Sequence, residues 1–341
     1  MASDLKLAVT FGYWGRGPRA DLTDAIKACD DAGVDSIWTA ESWGNDAFTF
    51  ATWVAAHTKR ARIGTGIVQM AARTPVATAM AAATVDHLSE GRFILGLGVS
   101  GPQVVEGWYG QPSGRPLART REYIEIIRRV LKREEPLDFH GEFYEHPYTG
   151  PGNVGLGKPL RIMIHPLRAD LPIFMGAEGP KNVTQTAQIA DGWLPLYYSP
   201  FRPEVYEDQL RDAKPGFEIV AMANVTITDD VSAGLAPGKA MLGFYIGGMG
   251  AKGQNYHTKL MQRMGYEEEA LKIQDLFFVG KRDEAIAAVP DDFVDEISLI
   301  GPVSRIKERL EHWRKSPVTS IMIGATKSPE ELKQVIDLVH G

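Results

Sequence analysis

Residues 36–101 hold three apolar runs in succession: SIWTAESW from Ser36, RIGTGIVQM from Arg62 and GRFILGLGVSG from Gly91. None alternates apolar with polar residues, so each reads as a strand buried on both faces, as in a parallel sheet. Parallel neighbours need crossover connections, and the segments between these runs carry helical spacing. Each run ends in polar or glycine residues. Such exits place chemistry on one rim of a parallel sheet.

The pattern continues along the chain. Strands are predicted at 5–11, 36–40, 62–68, 92–98, 171–175, 192–196, 217–227 and 320–323. Helices are predicted at 21–32, 47–57, 75–88 and 116–132, from Pro180 onward, and at 329–339. Pro75 sits at a helix's first turn, where the missing N–H costs nothing. Eight strands alternating with helices predict an α/β fold, a (β/α)8 TIM barrel. Such a barrel takes about 250 residues. The surplus in this chain of 341 fits two insertions, at about 134–170 and 228–317, the second mostly helical with a glycine-rich stretch at 247–253. No linker or fixed-period repeat divides the chain, so one domain over 1–341 is expected.

Composition narrows the partners. The net charge of −6 argues against a nucleic acid, which calls for excess Lys and Arg. The one cysteine, Cys29, excludes an internal disulfide framework and any CxxC site. No run of about 18 apolar residues predicts a membrane span. The opening LKLAVTF lacks the layout of a secretory leader, so a cytoplasmic location is expected. The eight histidines form no HExxH or HxxxH, so no metal site is predicted, and no GxSxG or GxxxxGK[ST] motif occurs. With those chemistries set aside, a bound organic cofactor is the natural source of reactivity.

Four strand exits are the candidate site. Gly96-Leu97-Gly98-Val99-Ser100-Gly101 matches GxGxxG, but it follows the fourth strand, a loop beginning at Pro102 is expected before any helix, and no acidic ribose-binding position lies about 20 residues on. Two readings remain: glycines that let a barrel strand turn, or a backbone surface lying against a flat cofactor. Gly64-Thr65-Gly66-Ile67-Val68 reads either as a bulge or as backbone shaped around a ligand. Glu41-Ser42-Trp43 reads either as a carboxylate anchor beside a stacking indole at the rim or as Glu41 paired with a basic neighbour and Trp43 packed under a loop. Gly176, Ala177, Glu178, Gly179 and Pro180 join a strand to a helix, a turn that either offers free N–H groups to an anion or merely connects.

These residues resemble the luciferase-like superfamily of flavin and deazaflavin oxidoreductases. The likeness spans nearly the whole chain and is carried by DSIWTAESWGNDAF, by IGTGIVQMAARTPVATAMAAATVDHLSEGRFILGLGVSG and by MGAEGPKNVTQTAQIADGW. It is nearest to the coenzyme F420-dependent branch, which includes methylenetetrahydromethanopterin reductase and F420-dependent glucose-6-phosphate dehydrogenase. The resemblance implies a (β/α)8 barrel with a non-proline cis peptide at Gly66-Ile67. It implies that Glu41, Gly66, Ile67, Val68 and Gln69 back the cofactor ring. Gly98, Val99, Ser100, Gly101, Pro102 and Gln103 would touch the ring or its ribityl chain, and Gly176, Ala177, Glu178, Gly179 and Pro180 the phosphate end. Tyr13, Trp14, Trp43, Trp108 and Tyr197 would wall a substrate pocket.

One departure matters. Relatives in the sugar-phosphate dehydrogenase group carry Asp-His where this chain has Glu41-Ser42, so that histidine's proton transfer is not carried over. Glu41 and Ser42 stand as the candidate catalytic pair. The expectation is hydride transfer between F420 and a small-molecule substrate, in a homodimer that binds no membrane. The alternatives are an FMN-dependent monooxygenase of the luciferase or alkanesulfonate type, and a relative that binds a cofactor without turnover.

Overall fold

The computed structural model describes residues 5–340. Its strands are β1 (Lys6–Thr10), β2 (Ser36–Thr39), β3 (Arg62–Thr65), β4 (Val68–Gln69), β5 (Phe93–Gly98), β6 (Phe139–His140), β7 (Glu145–His146), β8 (Ile173–Gly176), β9 (Gly192–Trp193), β10 (Glu218–Met222), β11 (Asn224–Ile227), β12 (Ser298–Gly301) and β13 (Ser320–Gly324). Helices alternate with β1, β2, β3, β5, β8, β9, β10 and β13, and the strand order is that of a (β/α)8 TIM barrel. The architecture read from the sequence is therefore the one the chain adopts.

The chain divides into two compact units, one of Phe11–Met175 and one of the remainder. In the first, β2 pairs with β3 and β3 with β5, all parallel; β4 continues β3 and pairs with β5. Trp38 is fully buried and stacks near Phe174, their centroids 5.9 Å apart. Gly64 is glycine because a Cβ there would lie 2.3 Å from the Trp38 ring. Asp30, in the last turn of the helix Leu22–Asp31, accepts the backbone N–H groups of Lys59, Arg60 and Ala61 at 2.8, 3.0 and 2.7 Å, which fixes the approach to β3. Asp46 caps the helix Ala47–His57 through Thr49 N, and Thr74 caps Pro75–Leu88 through Ala77 N. The stretch between Pro116–Lys132 and β8 holds the antiparallel hairpin β6–β7.

In the second unit β1, β13, β10 and β9 pair parallel in that order. The predicted strand at 217–227 is two strands, β10 and β11. Five helices follow, beginning with Val231–Gly248 and ending with Asp291–Glu296. The next residues form β12, a strand the sequence reading did not anticipate, which pairs parallel with β11. Among the described residues no helix is long and apolar enough to cross a membrane.

Candidate functional site

Glu41 follows β2 and is only 5% exposed. A buried carboxylate needs its charge met, and here every bond is supplied within one unit. Arg73 grips it with two parallel hydrogen bonds, Nη1 to Oε2 at 2.9 Å and Nη2 to Oε1 at 2.8 Å. The backbone N–H of Gln69 donates to Oε2 at 2.9 Å. The same guanidinium pairs with Asp46 and lies 5.3 Å from the Phe48 ring centroid. Burial works against the charge on Arg73, but Glu41 and Asp46 outweigh it and hold its pKa above the usual arginine value. Asp46 is likewise opposed by burial, but Thr49 and Arg73 lower its pKa.

This network fixes the exit of β3. The Gly66–Ile67 peptide is cis, as the resemblance implied. Ile67 then lies over Gly98, where a Cβ would meet its Cδ1 at 2.7 Å. Gln69 is 2% exposed; its Nε2 donates to Glu41 O at 3.3 Å, while its Oε1 has no partner. That leaves a buried acceptor beside the Glu41–Arg73 pair waiting for a donor.

Val99, Ser100 and Gly101 follow as half-buried backbone, with Ser100 at φ +59°. A single helical turn, Pro102–Val105, starts at once, where the sequence reading placed a loop; Pro102 at its first position needs no hydrogen bond. Gln103 is exposed. Ser42 is half-buried, and its carbonyl accepts from Tyr109 Oη at 3.0 Å. Of the aromatic candidates in this unit, Tyr13, Trp43 and Trp108 are more than half exposed. Trp14 packs edge-on against Phe50, and its backbone N–H donates to Asn45 Oδ1 at 3.1 Å.

The other unit carries Gly176, Ala177, Glu178, Gly179 and Pro180, which lead from β8 into the helix Pro180–Ile189. No side chain caps that helix at Gly179. Ala177 O accepts from Trp193 Nε1 at 2.8 Å, and Glu178 O accepts from Arg263 Nη2 at 2.8 Å. The Glu178 carboxylate meets His257: Oε2 lies 2.9 Å from Nδ1, with both side chains about 15% exposed. The approach is off the line of a hydrogen bond, so both atoms keep unspent capacity. Tyr197 is 1% exposed and its hydroxyl has no partner. Its ring stands edge-on to His257 at 5.6 Å and to Tyr245 at 6.3 Å. Burial pushes the Tyr197 phenol well above its ordinary pKa, and the Glu178 charge and Tyr245 add to that.

Two of these partners escaped the sequence reading. Arg73 follows Glu41 by one helix–strand unit, the spacing that brings neighbouring exits together in a barrel. His257 lies in the helical insertion, where nothing in the sequence ties it to Glu178. Among the described residues no group of three or more His, Cys, Asp or Glu could hold a metal ion.

The family model for luciferase-like monooxygenases matches residues 9–320. A Mycobacterium tuberculosis protein provisionally named as a coenzyme F420-dependent oxidoreductase is 47% identical, covering 99% of this chain and all of its own length. The 5,10-methylenetetrahydromethanopterin reductase of Archaeoglobus fulgidus is 26% identical, with 92% of each chain covered. Among solved structures, the F420-dependent tetrahydromethanopterin reductase of Methanopyrus kandleri superposes with a TM-score of 0.75 at 23% identity, covering 98% of this chain and 97% of its own. An F420-dependent secondary alcohol dehydrogenase gives 0.73 at 15% identity, with both chains fully covered. On the match of the family model and the full-length likeness to the mycobacterial protein, this chain belongs to the luciferase-like monooxygenase family.

Proposed function

We propose that this protein is a coenzyme F420-dependent oxidoreductase that transfers a hydride between the deazaflavin and a small organic substrate. The observation that carries this reading is the full-length 47% identity to the M. tuberculosis protein named for F420. The structure contributes a fit. The unpartnered Gln69 Oε1 is a buried acceptor suited to a ring N–H, and the half-buried backbone at Val99, Ser100 and Gly101 leaves a surface a flat ring can approach. When bound, a deazaflavin supplies a carbon that gives or accepts a hydride.

The chain's own residues do the remaining work. Glu41 is spent on Arg73 and Gln69, so in this reading it holds Gly66, Ile67, Val68 and Gln69 in place as the ring's backing. Gly98, Pro102 and Gln103 border the ring, with Ser42 at the same rim offering a hydroxyl. Gly176, Ala177, Gly179 and Pro180 take the anionic end at a helix start that no side chain caps. Tyr13, Trp14, Trp43 and Trp108 supply apolar walls that exclude water. Rigid positioning is what such a site contributes, since hydride donor and acceptor must be held about 3–3.5 Å apart.

A second reading, an FMN-dependent monooxygenase, has in its support the family model's description as luciferase-like monooxygenases. Oxygen uptake separates the two. With reduced F420 the protein is expected to consume no more oxygen than the cofactor does alone. Substrate-dependent oxygen uptake with reduced FMN would replace the F420 reading. The homodimer rests on the resemblance and is read by sedimentation; the expected cytoplasmic location is read by cell fractionation.

A further inference from the structure

Three large side chains at the strand exits of the unit Phe11–Met175 are left unused by its packing. Tyr13, Trp43 and Trp108 are each more than half exposed. None makes a ring contact or a side-chain hydrogen bond among the described residues. Trp53, on a helix of the same unit and nearly as exposed, is the contrast. Its Nε1 donates to Thr23 Oγ1 at 3.3 Å, and its ring centroid lies 4.3 Å from that of His57. A single exposed apolar residue is ordinary, but several at one place mark a surface that another molecule covers.

The three are brought to one place by hydrogen bonds between their loops. Trp14, next to Tyr13, donates its backbone N–H to Asn45 Oδ1 at 3.1 Å, and Asn45 Nδ2 donates to Ala40 O at 2.9 Å. That joins the first loop to the one carrying Trp43. Tyr109, next to Trp108, donates its hydroxyl to Ser42 O at 3.0 Å, one residue before Trp43. The turns beside two of the rings require glycine: Gly12 has φ +58°, and a Cβ at Gly107 would lie 2.4 Å from Gln103 O. Strands β2 and β5 both pair with β3. The Trp43 and Trp108 loops therefore flank the Gly66–Gln69 exit.

The residue types at this rim are as informative as their position. Within 11–21, 40–46 and 99–115 the large exposed apolar side chains are these three aromatics, with no aliphatic one among them. The exposed Leu, Ile, Val and Met of the unit lie instead on 80–88 and 154–167. An aliphatic chain is met well by those residue types. Indole and phenol rings offer π faces and edges that pair with a second flat ring, and they lose little rotamer freedom when they do so.

Resting on the F420 reading, we infer that the substrate of this enzyme carries a flat conjugated ring system, gripped by Trp43 and Trp108 with Tyr13 beside them. These residues set which molecule is accepted. The hydride step itself asks nothing of them beyond holding the substrate next to the Gly66–Gln69 exit.

The test is equilibrium dialysis of the full-length, F420-loaded protein against 2-naphthol and, separately, its ring-saturated counterpart 2-decalol. The two bury similar apolar area, so burial alone would bind them alike, whereas stacking favours the flat molecule. 2-Naphthol is expected to bind at least about tenfold tighter. W43L and W108L keep an apolar side chain without the indole, and each should cut that ratio about fivefold or more. Their F420 affinity should stay within about twofold of the wild type. W53L should change neither quantity, because its ring is already engaged. Equal binding of the two probes, or an unchanged ratio in both variants, overturns the proposal. A loss of F420 affinity of about tenfold in W43L or W108L also overturns it, by giving the rings to the cofactor. Failure of the wild type to bind F420 instead overturns the functional reading beneath, while the same dialysis without F420 still decides whether these rings select a flat ligand.

Discussion

Glu41 and Glu178 are both carboxylates at the C-terminal end of a barrel strand, yet their bonds are spent differently. Glu41 is held by a two-pronged arginine and a backbone N–H. Glu178 stands against an imidazole and an unpartnered phenol with bonding capacity left over. A buried charge with every bond filled has nothing left to give a substrate, and removing its partner exposes the full cost of burying it. A half-satisfied cluster costs stability as it stands, which is the mark of a group kept for chemistry. So Glu41 reads as a brace, while Glu178 keeps bonding capacity that Glu41 lacks.

The largest expected effect breaks the brace. R73M leaves Glu41 buried without a counter-charge, and stability should fall by about 3–5 kcal/mol in denaturant unfolding. A loss below about 1 kcal/mol would show that Glu41 is not held as described.

Asp30 sharpens the contrast, because it is satisfied by backbone N–H groups. Burial opposes its ionisation, but the bonds from Ala61, Lys59 and Arg60 outweigh that and lower its pKa. Its folded value therefore lies below its unfolded one. Its contribution is fully present above the unfolded value of about 3.9 and is lost as the pH falls through the folded one. D30N should cost about 1–2 kcal/mol at pH 7, and the variant's unfolding midpoint should change less than the wild type's below about pH 4. Parallel acid profiles for the two proteins would remove Asp30 from the satisfied class.

The smallest expected effect is at Tyr197. Removing a buried hydroxyl that has no partner should not cost stability and should raise it by up to about 1 kcal/mol. A Y197F loss of about 1.5 kcal/mol or more would mean that this hydroxyl is bonded in solution.

The barrel was legible because its strands are short, uninterrupted apolar runs; all eight, including the polar-ended SIWT, fall where the burial pattern put them. What was not legible is as physical. β12 is four residues long within a helix-rich stretch, and the Gly301-Pro302 pair that ends it is too little to set it apart from a helix connector. The break between β10 and β11 comes at Ala223, a residue with no turn signal. The helix Pro102–Val105 is one turn, too short for any periodicity to show. At the site, the rim position of Glu41 followed from its being a strand exit, and Gln69 came from the family resemblance. Arg73 needed the register between neighbouring exits, and His257 needed the path of an insertion whose glycines and small residues give no face to read.

The most direct test of the central claim is a titration of the purified protein with F420 and, separately, with FMN, followed through quenching of its seven tryptophans. The F420 reading predicts saturable binding of F420 that is at least about tenfold tighter than FMN, a difference of about 1.4 kcal/mol. Equal affinity, or preference for FMN, would contradict it.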